Sequence, residues 1–130
     1  MTRYLITFDD GAMTFPEEDQ PDVAKAAREV VQEALNAGVW VFGGGLKSQM
    51  ASVVATDGIV TDGPYPETKE VIGGFAVVDV PSREEALEWA AKIAVACRCS
   101  QEVRVILPDP RELEQALPRA RSAHQPEPAR

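Results

Sequence analysis

Four charged side chains crowd into nine residues of this sequence: "DGPYPETKE", residues 62–70, carries Asp62, Glu67, Lys69 and Glu70. A carboxylate held against a carbon acid can abstract a proton, and a neighbouring ammonium stabilises the oxyanion that forms. Glu67 and Glu70 are therefore candidate bases, and Lys69 a candidate electrophile. Pro64 and Pro66 fix φ at two points, which lowers the entropy lost in holding such groups in place. A purely architectural reading stands beside this one. Asp62 would accept backbone N–H bonds in an Asx-turn, Gly63 would supply an unusual φ, and Lys69 would pair with a carboxylate on the surface. A turn has no need of Glu67, Lys69 and Glu70, so the charged half of the stretch calls for a function more than Asp62 and Gly63 do.

Arg104, between Val103 and Val105, is the second candidate. A strand guanidinium with apolar neighbours needs an anionic partner, because a desolvated unpaired charge is expensive. Glu102, Asp79, Glu67 or Glu70 would make it a salt bridge; a bound anion or enolate would make it a ligand clamp. The remaining motifs carry less. "FGGGL" at Gly43–Gly45 leads toward another strand and lacks the Lys-Ser/Thr or spaced glycines of a phosphate loop, so a bulge or close backbone approach is expected there. Cys97 and Cys99 form half a zinc site with nothing near to complete it, and Cys97, on the apolar face of its helix, reads by default as a buried structural thiol. Trp40 and Trp89 read as packing residues. Neither a metal nor a cofactor is expected.

These groups hang on elements that the hydrophobic pattern outlines. Tyr4, Ile6 and Phe8 alternate as a strand. Val23, Ala27, Val30, Val31, Ala34 and Leu35 recur at helical spacing between Pro21 and Gly38, with Lys25, Arg28, Glu29 and Glu33 on the wet side. "VWVFGGG" is a strand, and Asp57-Gly58 between "SVVAT" and "IVT" marks a hairpin. "FAVVDV" is a nearly continuous apolar strand. Ser82 with Glu85 forms a capping box for a helix bearing Ala86, Trp89, Ala90, Ile93, Ala94 and Cys97 on one face. "EVRVIL" closes the order, with Val103, Val105 and Leu107 on one side and Glu102, Arg104 and Ile106 on the other. The plan is β-α-β, hairpin, β-α-β. It predicts an α+β fold of ferredoxin-like, split βαβ type, two helices covering one face of an antiparallel sheet. Apolar residues on both sides of several strands require the other face to be covered as well, and a second copy of the chain does so most economically.

Composition bounds the rest. The 130 residues make one domain with a net charge of −8, and residues 108–130 are balanced, so the whole acidic excess lies in residues 1–107. Such a body repels phosphate backbones, which argues against nucleic-acid binding. No apolar run approaches the roughly 18 residues of a membrane span. The start lacks a long apolar region and cysteines are few, so a reducing cytoplasm is the expected location. Five of the ten prolines fall at or after Pro108. Residues 1–107 are therefore expected to form the domain, and 108–130 an extension with a short helix followed by disorder.

The sequence also resembles a known family. Asp62-Gly63-Pro64-Tyr65-Pro66-Glu67-Thr68-Lys69-Glu70, then Gly73-Gly74-Phe75 and Glu85-Ala86-Leu87-Glu88-Trp89-Ala90, is similar to the DGPF-domain branch of the YCII-related family, with Tyr65 in place of Phe and Pro66 where Ala is usual. The likeness runs from Tyr4 to about Leu107. It implies a ferredoxin-like fold pairing into a dimeric α+β barrel, and small-molecule chemistry without an organic cofactor. The shorter branch of the family carries a His-Asp pair. His124, the one histidine here, lies in the tail, so a histidine mechanism does not transfer. Two functions follow as expectations. One is a dimeric module that binds a small anionic metabolite in a cleft lined by residues 62–70, with Asp62 and Arg104 as ligand contacts. The other is a cofactor-independent lyase or isomerase using Glu67 or Glu70 as base, with Lys69 or Arg104 on the oxyanion.

Overall fold

The structure, a computed structural model, describes residues 1–47, 51–63 and 71–112. Strand β1 (Thr2–Asp9) leads through a 3-10 turn (Glu17–Asp19) to helix α1 (Gln20–Asn36) and strand β2 (Trp40–Gly45). A hairpin of β3 (Ser52–Val54) and β4 (Val60–Asp62) follows, then β5 (Ile72–Val80), α2 (Arg83–Cys97) and β6 (Glu102–Val105). The four long-range strands form one sheet in the order β2-β5-β1-β6, with every neighbouring pair antiparallel. This is the ferredoxin-like α+β arrangement that the element order predicted.

The register explains the core. Tyr4 pairs with Val78 and Val105, and Ile6 with Ala76 and Val103, so one face of the sheet gathers apolar side chains from three strands. Ile6, Val78 and Val80 are fully buried there, against Ala86 and Ala90 of α2. Trp40, Trp89, Ile93 and Val103 pack around this cluster. Leu35, expected on the apolar side of α1, is exposed. It stands about 100° round the helix from the buried Ala34, which turns it away from the sheet. Ser82 caps α2 by accepting a hydrogen bond from the Glu85 N–H at 3.2 Å, as the S-x-x-E spacing predicts. Arg98 closes that helix in the left-handed conformation (φ 60°), a position that usually takes glycine. Its guanidinium reaches Asp19 at 2.8 Å and lies over the Phe15 ring.

The Asp57-Gly58 hairpin forms as predicted. Ala55 C=O accepts from the Gly58 N–H, Ala55 N–H donates to Ile59 C=O, and Gly58 takes φ 89°, the left-handed bulge residue of a three-residue loop. The Asp57 side chain accepts from the Ile59 N–H at 3.0 Å.

Candidate functional site

Residues 64–70, with Glu67, Lys69 and Glu70, lie outside the described residues, so the site is built from the elements on either side. The segment leaves β4 at Asp62-Gly63 and re-enters the fold at Val71. Asp62 is exposed at the end of β4, paired across the hairpin with Ser52. Gly63 corrects an expectation, since its φ is not in the left-handed range. Glycine is required there by contact instead. A Cβ would stand 2.8 Å from Cγ2 of Val53, while the Gly63 N–H donates to the Ala51 carbonyl at 2.9 Å.

Re-entry is tightly specified. The pairing of β1 with β5 shifts between Phe8 and Asp9, and the Asp10 N–H donates to the Val71 carbonyl. This brings the first strand's end against Gly73, where a Cβ would meet Asp10 Cα at 2.8 Å. At Gly74 it would meet the Phe8 ring at 2.6 Å. Two adjacent glycines thus let β1 cross close over the start of β5, and Asp9 and Asp10 are carried to the strand end into which segment 64–70 runs. The sequence reading missed both aspartates as site residues. The signal was present as "DDG" directly after the first strand, but only the strand register sets it beside residue 71.

Next to this corner, Phe8, Asp9, Ala12, Cys99, Ser100 and Glu102 surround a hollow of about 400 Å³. Two carboxylates face it. Burial pushes the Cys99 thiol up, and the nearby Asp9 charge adds to the effect, opposed by a hydrogen bond from Gln101. A neutral thiol is a poor nucleophile and a poor metal ligand, which fits a structural role for Cys99. Among the described residues no group of three His, Cys, Asp or Glu side chains is placed to hold a metal ion.

Arg104 lies on the sheet face turned away from the helices, level with Leu5. Its Nη1 meets Glu102 Oε1 at 3.2 Å, with both side chains more than half exposed. Among the described residues considered as its partner, Glu102 and Asp79, it is Glu102 that pairs with it. Arg104 and Asp62 are on different sheets and are not brought together. Leu5 is the cross-strand neighbour of Arg104 on the open face, and Val77 and then Phe42 continue the row across β5 and β2; Phe42 is 63% exposed, and its ring centroid is 5.6 Å from that of Phe75. Gly43–Gly45 belongs to β2, beyond a bulge between Trp40 and Phe42. Gly43 permits a close approach, since a Cβ would stand 2.6 Å from the Phe75 carbonyl oxygen.

The fold and the sheet corner are those of a small antiparallel α+β domain, and comparison of sequences says which. The YCII-related domain model matches residues 2–108, and the chain belongs to that family. No curated protein matches it. Among solved structures it is similar to 5-chloro-2-hydroxyhydroquinone dehydrochlorinase from Burkholderia phenoliruptrix AC1100, in complex with 2,5-dihydroxybenzoquinone. The likeness is 14% identity over 85% of this chain and 97% of that one, at a TM-score of 0.49. A likeness of that size transfers no activity. No helix among the described residues is long and apolar enough to cross a membrane.

Proposed function

We propose that this chain is a cytoplasmic, homodimeric YCII-related protein of the DGPF branch that binds a small anionic organic molecule on the open sheet face. Arg104 would hold the guest together with Lys69, with Glu67 and Glu70 as neighbouring carboxylates, and residues 1–107 would be the functional unit; Asp62, on the separate hairpin, would shape the start of the segment that carries them. The observation that carries this reading is the setting of Arg104. Its guanidinium is more than half exposed on the sheet face turned away from the helices, beside the half-buried Leu5, and is held by one solvent-exposed carboxylate, Glu102. Exposed pairs of this kind are worth only about 0–1 kcal/mol, so a carboxylate guest can compete for the arginine. A second copy over Phe42, Phe75 and Val77 would bury apolar surface and desolvate the arginine, strengthening its hold on an anion.

A second reading, proton abstraction by a lyase or isomerase without a cofactor, is favoured by the acidic hollow at the strand end. Asp9 and Glu102 line it, and either would serve as a base besides the candidates Glu67 and Glu70. A working base must be desolvated, and the dimer again supplies the cover.

The test is a thermal-shift titration with acetate, pyruvate, malonate and benzoate, run beside sedimentation at micromolar concentration. The wild type should sediment as a dimer, and at least one carboxylate should raise its midpoint in a saturable way. Arg104→Ala should abolish the rise and stay dimeric; Phe42→Lys should be monomeric and unresponsive. Absence of any shift, or a shift unchanged in Arg104→Ala, would refute the binding reading. A folded wild-type monomer would refute the dimer.

A further inference from the structure

On the other side of Phe8 from the acidic hollow, a second cavity of about 260 Å³ lies between the two helices and the helix-facing side of the sheet. It exists because small residues meet there: Ala27 of α1, Ala96 of α2 and Gly45 of β2. Gly45 pairs with Gly74 on the side of the sheet that bears Phe8, and a Cβ built on it would meet nothing within 4 Å. Phe8, Val31, Trp40 and Ile93 wall the space. All four are only half-buried although they face the core side, so the cavity keeps apolar surface within reach of water.

None of the described residues that line the cavity is charged. Its polar groups are the Gln101 amide, the Trp40 indole N–H and the Cys97 thiol, which burial pushes up and so keeps neutral. The Gln101 amide nitrogen already donates to the Cys99 carbonyl at 3.3 Å, which leaves its oxygen to accept from a guest. An ion entering this space would lose its hydration without gaining a counter-charge. An apolar cavity of about 150 Å³ is enough to take a benzene ring, so this one has room for one or two rings.

We propose that this cavity binds an uncharged, mainly apolar molecule of one or two rings, whose single hydroxyl or N–H is received by Gln101. The site is separate from the anion site of the open face and does not depend on it.

Trp40 is on the wall and Trp89 is not, so a Trp89→Phe background isolates Trp40 emission as the reporter. The probe is 4-bromophenol, neutral at pH 7 and a heavy-atom quencher; 4-bromobenzoate has the same ring with a charge. 4-Bromophenol should quench Trp40 saturably, and 4-bromobenzoate should bind at least tenfold more weakly by this readout. Gly45→Val, which the open space at that position accommodates, should weaken 4-bromophenol at least tenfold while the thermal midpoint of the free protein holds. Ala27→Leu, from the opposite wall, should do the same. Arg104→Ala should change the 4-bromophenol affinity less than twofold, so this proposal and the anion site fail separately. Quenching without saturation, equal binding of the two probes, or saturable binding untouched by both filling variants would overturn the proposal.

Discussion

Substituting alanine at each glycine of β2 and β5 should split five chemically identical changes into three classes. At Gly43 the new Cβ would stand 2.6 Å from the Phe75 carbonyl oxygen and 2.9 Å from Ala76 Cα; at Gly73 it would stand 2.8 Å from Asp10 Cα. Both obstacles are backbone, so a strand must move. Forced overpacking of this kind costs about 1–3 kcal/mol. Against it stands a gain of roughly 0.4–1 kcal/mol from the lower chain entropy of unfolded alanine. Gly43→Ala and Gly73→Ala should therefore lose about 1–2 kcal/mol net. At Gly44 and Gly45 a Cβ meets nothing within 4 Å, so only the gain remains and stability should rise by roughly 0.5 kcal/mol. Gly74 falls between, because its obstacle is the Phe8 ring, at 2.6 Å, and a side chain can move. Gly74→Ala should cost less in a Phe8→Leu background than in the wild type. Urea unfolding at one fixed protein concentration measures all five, the fixed concentration removing any contribution of self-association. The contrast between Gly43→Ala and Gly44→Ala should be about 2 kcal/mol, or several degrees in midpoint for a chain of this size. If the two variants agree within experimental error, close backbone approach is not the reason for these glycines.

Two further outcomes test the helix end and the half-buried Cys97 thiol. Arg98→Ala keeps a side chain in the left-handed region but loses the Asp19 pair, whereas Arg98→Gly relieves that conformation by about 1 kcal/mol. The thermal midpoint should therefore order as Gly above Ala, and the reverse order would remove the conformational argument. Cys97, pushed up mainly by burial and secondarily by Cys99, keeps its proton in the fold at a pH where the unfolded thiol has lost it. Its contribution to stability is present below the ordinary thiol range and lost as pH rises toward the folded value. In a Cys99→Ser background, the urea midpoint should fall above that range and Cys97→Ala should remove the fall; a midpoint with the same pH profile in both variants would contradict the shift.

The features legible in the sequence were those decided by near neighbours. Alternation set β1, a nearly continuous apolar run set β5, Asp57-Gly58 set the hairpin, and Ser82 with Glu85 set the start of α2, each within a few residues of chain. What could not be read depended on partners distant in sequence. The bulge between Trp40 and Phe42 exists only against β5, and the left-handed cap at Arg98 is held by Asp19, 79 residues away. Gly63 was read as a torsional residue and is a contact residue, because the side chain it must clear belongs to Val53 on the other hairpin strand. For the site, Arg104 was placed correctly on the face opposite Val103, since strand alternation decides that. Asp9 and Asp10 were missed because their nearness to Val71 comes from the register of β1 on β5.

That register also bears on how the site is completed. The β3–β4 hairpin is two-stranded and makes no packing contact with another strand or helix among the described elements. Val54, Ile59 and Val60 on it are all at least 60% exposed. An isolated two-stranded hairpin is marginal in water, so its persistence calls for cover from elsewhere. Phe42 on the open face makes the same demand from a different surface. In the proposed dimer one event answers both, since apolar area from the sheet face and from the hairpin leaves water together. The ion pair of Glu102 with Arg104 changes character in the same step. Exposed, it contributes little and yields to competing anions; covered, its charges interact in a lower dielectric, and any guest must match them closely to enter. Dimer formation would then set the selectivity of the site as well as its stability.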